Sequence, residues 1–147
     1  MTETLRHQMD AALGRVVVPR LREHAFTGSL PHFRRRTARG IDLLSFQFDK
    51  WGGGVVIEIS RCPADGFVTH WGKEIPPNKV TAQDPHPDQR HRLKANEGSG
   101  TDSWFRYEGG DTEQVAQDVL EKLSDAEVWW ATRSEAEESA SSTTQRP

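Results

Sequence analysis

Residues 31–62, PHFRRRTARGIDLLSFQFDKWGGGVVIEISRC, constrain the fold more than any other stretch of this 147-residue chain. Successive side chains of a β-strand point to opposite faces, so apolar residues at every second position predict a half-buried strand. That spacing occurs on both sides of a glycine run, at Leu44, Phe46, Phe48, Val55, Ile57 and Ile59. The glycines at 52–54 favour a hairpin, because glycine adopts positive φ without steric cost. The stretch therefore predicts three consecutive antiparallel strands.

The two faces of these strands differ in polarity. Phe33 extends the apolar face, whereas the opposite face carries Arg34, Arg36, Ser45, Gln47, Glu58 and Ser60. An antiparallel sheet commonly buries one face and exposes the other, which predicts an open polar face here. Such a face is ordinarily a solvated surface with cross-strand ion pairs, and the alternative is a binding surface.

Helical patterns precede and follow the strands. Residues 3–24 place apolar side chains three and four positions apart, and Pro19 predicts a kink or a restart within them. A second helix is predicted from the capping residue Asp111, with a break at Ser124 where another capping box begins. The predicted fold is α+β: an antiparallel sheet of four to six strands with the N-terminal and C-terminal helices packed on one face.

The segment between sheet and C-terminal helix is rich in proline. Residues 73–89 hold four of the eight prolines, which predicts a long ordered loop over one end of the sheet. Short strands are predicted around residues 67–71, 90–93 and 103–108, and a glycine-containing loop at 96–101. Residues 1–133 are predicted to form a single domain. The tail 134–147 has no apolar residue larger than alanine and is predicted to be disordered.

Composition limits the functional classes. No apolar run approaches the roughly 20 residues of a membrane span, no signal peptide is visible, and one cysteine permits no internal disulfide, so we expect a cytoplasmic protein without a membrane partner. Residues 1–94 hold 15 Lys or Arg and 10 Asp or Glu, whereas residues 95–147 hold 4 and 12. This asymmetry favours docking of the acidic C-terminal helix on the basic body. Nucleic-acid binding through the Arg34–Arg39 run ranks last.

No stretch carries a recognisable catalytic or cofactor motif. His86 and His91 lack the spacing of a zinc site, and Cys62 has no second cysteine nearby, so neither a metal nor a cofactor is expected. Cys62 is predicted to be a buried structural residue. The candidate binding residues are those of the polar face together with a tryptophan and a lysine at a turn: Arg34, Arg36, Gln47, Glu58, Trp71 and Lys73.

Several long segments resemble one known family. The resemblance is carried by FTGSLPHFRR, IDLLSFQFDKWGGGVVIEISRCP, HWGKEIPPNKVTAQD, a WFRYE strand and a terminal WW pair. It covers about residues 16–130 and points to the bacterial domain-of-unknown-function family numbered 4304. The resemblance implies an α+β domain in the cytosol and supplies no catalytic residues.

Two functional hypotheses follow from these patterns. The first is a non-enzymatic binding or accessory module, of which an immunity-type protein is one version. It would hold a protein partner on the polar face and the 73–92 loop. The alternative is an enzyme of unrecognised type acting on a small anionic substrate gripped by the six candidate residues.

Overall fold

The computed structural model describes residues 4–95 and 103–144, with side chains up to residue 132. Three α-helices lie within these residues: α1 (Leu5–Val16), α2 (Val18–Glu23) and α3 (Thr112–Thr144). The strands in the same residues are β1 (Thr27–Ser29), β2 (His32–Thr37), β3 (Gly40–Phe48), β4 (Gly54–Cys62), β5 (Phe67–Val68), β6 (Glu74–Ile75), β7 (His91–Arg92) and β8 (Phe105–Arg106). The loop predicted at residues 96–101 lies outside the described residues.

The main sheet is antiparallel and is built around the predicted three-strand stretch. Its order is β1-β2-β3-β4-β7, and β8 also pairs with β4. Phe46 pairs with Ile57 and Leu44 pairs with Ile59, which places the apolar side chains on one face. β5 pairs with β6 in a separate two-stranded hairpin. The predicted α+β architecture, with four to six sheet strands, is confirmed.

The apolar sheet face packs against the helices. Met9 and Leu13 of α1, and Val17 at its junction with α2, share one buried cluster with Val119 and Trp130 of α3 and with the sheet residues. The Thr4 side chain caps α1 by accepting a hydrogen bond from the His7 amide. α1 ends before Pro19, which occupies the first turn of α2 as predicted, because a proline there loses no helical hydrogen bond. Helices on one face are confirmed.

The opposite sheet face is not open, which corrects the prediction of a solvated polar face. Residues 76–90, called here the covering loop, lie across it. Ile41, Leu43 and Cys62 of the sheet form a second core with Val80 and Ala82 of the loop. The pattern of polar residues suggested exposure, but two large aliphatic side chains of β3 share that face and require a cover. The sheet is therefore buried on both sides.

α3 continues through the position where a break was expected. The Ser124 hydroxyl donates to the Glu121 carbonyl oxygen at 3.1 Å. The side chain thus bonds backward along the helix and does not cap a new one. Asp111 caps the start as predicted, accepting from the Gln114 amide at 3.2 Å. The side chains beyond residue 132 are not among those that the structure describes. The disordered tail over 134–147 and the single domain over 1–133 therefore remain predictions.

Candidate functional site

The six candidate binding residues are divided among three places. Arg34 and Arg36, at alternate positions of β2, line a cleft of about 330 Å³, called here the arginine cleft. Arg34 also fixes the covering loop, because its Nε donates to the Val80 carbonyl oxygen at 2.6 Å. Arg36 remains exposed. Strand parity therefore brings these two arginines together as predicted.

Glu58 and Gln47 both bond to side chains of the covering loop or its continuation. Glu58 is buried and accepts from Arg90 at 3.4 Å and from Arg92 at 3.2 Å. Two guanidinium groups offset the desolvation of one buried carboxylate. Gln47 is exposed and accepts from the Gln83 side chain at 3.4 Å. These two residues position loop side chains.

Trp71 and Lys73 line a groove of about 460 Å³ between the β5–β6 hairpin and residues 83–90. We call this cavity the hairpin groove. Gln83 and Arg90 lie on its other side, so the groove is connected to Gln47 and Glu58 through one hydrogen bond each. Four of the six candidate residues thus converge on this groove, two directly and two through a neighbour.

A tight turn presents Trp71 to solvent. The Thr69 amide donates to the Lys73 carbonyl and the Thr69 hydroxyl accepts from the Lys73 amide, both at 2.9 Å. Gly72 has φ +90, a conformation that suits glycine, and its amide closes the turn on the Thr69 carbonyl. The Trp71 ring packs edge-on against His70 at 4.7 Å. The indole is nevertheless 68% exposed on a turn whose backbone is fixed.

The loop side of the hairpin groove is held by internal bonds. Asp84 accepts from the Thr81 amide at 2.7 Å. Arg90 donates through Nε to the Pro85 carbonyl at 2.6 Å, in addition to its contact with Glu58. A loop so bonded is ordered before any ligand arrives, which reduces the entropy lost on binding.

A buried ion-pair network on the helix-facing side of the sheet is absent from the sequence predictions. Asp42 accepts from Arg35 and from Arg61, each at 2.8 Å. Arg35 also reaches Glu127 of α3 at 2.7 Å. The strand pattern could have indicated it, since Asp42 lies two positions before Leu44 and therefore shares its buried sheet face. The network joins sheet to helix, and its carboxylates are already neutralised.

A larger cavity, of about 1120 Å³, borders the same hairpin and reaches Cys62. Burial, with a smaller contribution from the Asp84 carboxylate, raises the pKa of the Cys62 thiol to about 11. The thiolate is the nucleophilic form of cysteine, and at neutral pH this thiol holds its proton. The cysteine of this cavity is therefore not an activated nucleophile, and the hairpin groove, which holds four of the six candidate residues directly or through a neighbour, is taken as the candidate site.

Across residues 4–95 and 103–132, no three His, Cys, Asp or Glu side chains are grouped as metal ligands. No helix in the described part of the chain is both long and apolar enough to span a bilayer.

Fold and site together define a small α+β protein whose sheet is covered by helices on one face and by a proline-rich loop on the other. The chain belongs to the family described as "Domain of unknown function (DUF4304)", whose profile matches residues 17–133. This confirms the resemblance seen in the sequence. Comparisons with curated proteins and with solved structures gave no match.

Proposed function

We propose that this protein is a non-enzymatic binding module and that the hairpin groove holds a segment of a protein partner. One observation carries the proposal: Trp71 is 68% exposed and Val68 is 60% exposed on the rigid hairpin that lines the groove. Tryptophan is one of the side chains enriched among the residues that contribute most to protein interfaces.

The charges of the groove indicate an acidic partner segment. Lys73 is exposed and makes no ion pair within the described residues. Among the described residues that line the groove, Asp84 is the one carboxylate, and it is already bonded to the Thr81 amide. A peptide that places an apolar side chain against Trp71 and a carboxylate near Lys73 matches both features.

Binding is favoured over the alternative of catalysis on a small anion by the state of the ionisable groups. Arg90 is paired with Glu58, Asp84 caps a loop turn, and the nearby Cys62 thiol is protonated at neutral pH because burial raises its pKa. These groups stabilise the loop and are not poised for proton transfer or nucleophilic attack.

The test uses a displayed library of random peptides, followed by fluorescence anisotropy with the selected sequences. We expect enrichment of acidic peptides carrying one large apolar residue. Trp71→Ala is expected to weaken their binding by about tenfold or more, as anchor residues do. Lys73→Glu should also weaken the binding of acidic peptides, because the introduced carboxylate repels theirs.

The chain provides a matched control. Trp51 is 85% exposed, lies beside Lys50 at 5.1 Å, and sits on a different turn. Trp51→Ala and Lys50→Glu should leave binding within about twofold, the range of neutral surface substitutions. Equal losses at both tryptophans, or selection of peptides without acidic residues, contradict the proposal.

A further inference from the structure

The arginine cleft differs from the arginine pairs that hold the two buried carboxylates of the sheet. Arg35 and Arg61 are paired with Asp42, and Arg90 and Arg92 are paired with Glu58. Arg34 and Arg36, in contrast, make no ion pair with any residue of the described part of the chain. Two unneutralised guanidinium groups on one strand face repel each other, so they favour an external anion between them.

Among the described residues that line it, the cleft has hydrogen-bond donors and no acidic side chain. Besides the two arginines it is lined by Ala25, Thr27, Ile41, Pro77 and Asn78. Arg34 donates a hydrogen bond from Nε to the Val80 carbonyl oxygen, which orients the guanidinium group. Its two terminal nitrogens are then available to other partners. The Asn78 side-chain amide adds a neutral donor, whereas the Thr27 hydroxyl already donates to the Arg34 carbonyl oxygen at 3.4 Å.

The charge of Arg34 acts on its surroundings. The pKa of His32 is lowered, chiefly by burial and further by the Arg34 charge. His32 is therefore neutral at physiological pH and bonds to the Ser45 hydroxyl at 2.8 Å. The Asp84 carboxylate acts on His32 in the opposite direction, so it offsets part of the Arg34 charge at His32. Arg34 and Arg36 together supply two positive charges to the cleft, which match a dianion.

We infer that the arginine cleft binds a phosphate monoester or inorganic phosphate between Arg34 and Arg36. Guanidinium groups are the side chains best shaped for phosphate oxygens, which they contact through paired N–H donors. The cleft shares no lining residue with the hairpin groove, so the inference does not depend on the proposed protein partner.

Isothermal titration calorimetry of the full chain at low salt tests this, with inorganic phosphate and glycerol 3-phosphate as probes. Arg36 is the residue to change because it is exposed and holds no structural bond among the described residues. Arg36→Gln is expected to weaken binding by about tenfold, the loss typical of one charge-assisted contact. Arg36→Lys keeps the charge and loses the paired donors, so its phosphate affinity should lie between those of the wild type and of Arg36→Gln.

Arg106 is an exposed arginine of β8 away from the cleft, and Arg106→Gln is the matched control, expected to change the affinity by less than about twofold. A parallel arm uses phosphatidylcholine vesicles with and without phosphatidic acid. Arg36-dependent binding in the soluble arm assigns a free ester, and Arg36-dependent binding only to the phosphatidic acid vesicles assigns a lipid headgroup. Absence of saturable binding in both arms, or an equal loss in Arg106→Gln, overturns the inference.

Discussion

Two buried carboxylates, one on each face of the sheet, are each held between two arginines. Asp42 lies between Arg35 and Arg61 on the helix-facing side. Glu58 lies on the other side and receives two guanidinium groups from the loop and β7. Because isolated charges are rarely buried, the arginine pairs are what permits carboxylates at positions that are almost fully shielded from water.

Asp42→Asn removes the negative charge while keeping the shape of the side chain. It leaves Arg61 and part of Arg35 without their carboxylate in a buried setting, and we expect a loss of about 3–5 kcal/mol in the free energy of unfolding. Urea denaturation measures it. Asp10→Asn, in an exposed pair with Arg6, is the control and should lose less than about 1 kcal/mol. Similar losses for the two variants argue against a structural role of the network.

Cys62 makes stability depend on alkaline pH. Burial raises the pKa of the thiol from 9.0 to about 11. Below pH 9 the thiol is protonated in both the folded and the unfolded chain, and its contribution to the free energy of unfolding is fully present. As the pH rises from 9 toward 11, only the unfolded chain loses the proton, so the folded state loses stability.

Comparison of the wild type with Cys62→Ala isolates this effect, since other titrating groups are common to both chains. Urea unfolding at neutral pH and near pH 11 should show the wild type losing more free energy of unfolding than the variant. If the free energy of unfolding falls equally with pH in the two proteins, the Cys62 thiol is not shielded from water in solution.

Among the elements, the covering loop shows how a segment whose regular structure is one short 3-10 helix (Pro87–Gln89) is held on a sheet. The Ala82 amide donates to the Ser45 hydroxyl at 3.2 Å, and the Ala82 carbonyl accepts from the Ser60 hydroxyl at 3.0 Å. Both backbone groups of one buried loop residue are thus satisfied by side chains of β3 and β4. Small hydroxyl residues at these positions allow the loop backbone to approach the sheet closely.

Ser45→Ala is expected to increase the hydrogen-exchange rate of the Ala82 amide by about tenfold, because a typical hydrogen bond contributes about 1 kcal/mol or somewhat more. Amide exchange measured residue by residue by NMR tests this. Ser29→Ala, at an exposed position of β1, should leave the exchange of Ala82 unchanged. An Ala82 amide that exchanges equally slowly in Ser45→Ala shows that other contacts hold the loop.

At the scale of the whole molecule, the charge asymmetry of the sequence is partly resolved by contacts between its two ends. Glu113 and Glu127 of α3 bond to Arg15 and Arg35, each at 2.7 Å. The Trp130 indole donates to the Ser60 carbonyl at 2.9 Å and ties the same helix to β4. The acidic helix therefore docks on the basic body, as the sequence favoured.

The predicted domain boundary is tested by shortening the chain. A protein ending at residue 133 retains every contact described for α3 and is expected to match the full chain within about 0.5 kcal/mol in urea unfolding, as surface changes usually do. Glu127→Gln in the shortened chain is the positive control, because it weakens the contact with Arg35. A large loss on truncation places residues 134–147 within the folded unit.

Local patterns predicted part of the candidate site and missed its arrangement. Alternation along β2 placed Arg34 and Arg36 on one face, and the neighbouring glycine placed Trp71 and Lys73 at a turn. The alternation of side chains along a strand does not indicate which segment of the chain packs against each face of the sheet. Gln47 and Glu58 were expected to meet a ligand, yet both meet loop residues far along the chain.

The sequence by itself determined the strands, their turns and the helix stripes, since each depends on side-chain spacing within a few neighbouring residues. Only the tertiary structure decided that the polar face is covered. The contacts responsible join Ser45 to Ala82 across 37 positions and Arg34 to Val80 across 46. Such contacts follow from which segment can satisfy the buried polar groups of the sheet, and no periodicity along the chain records that choice.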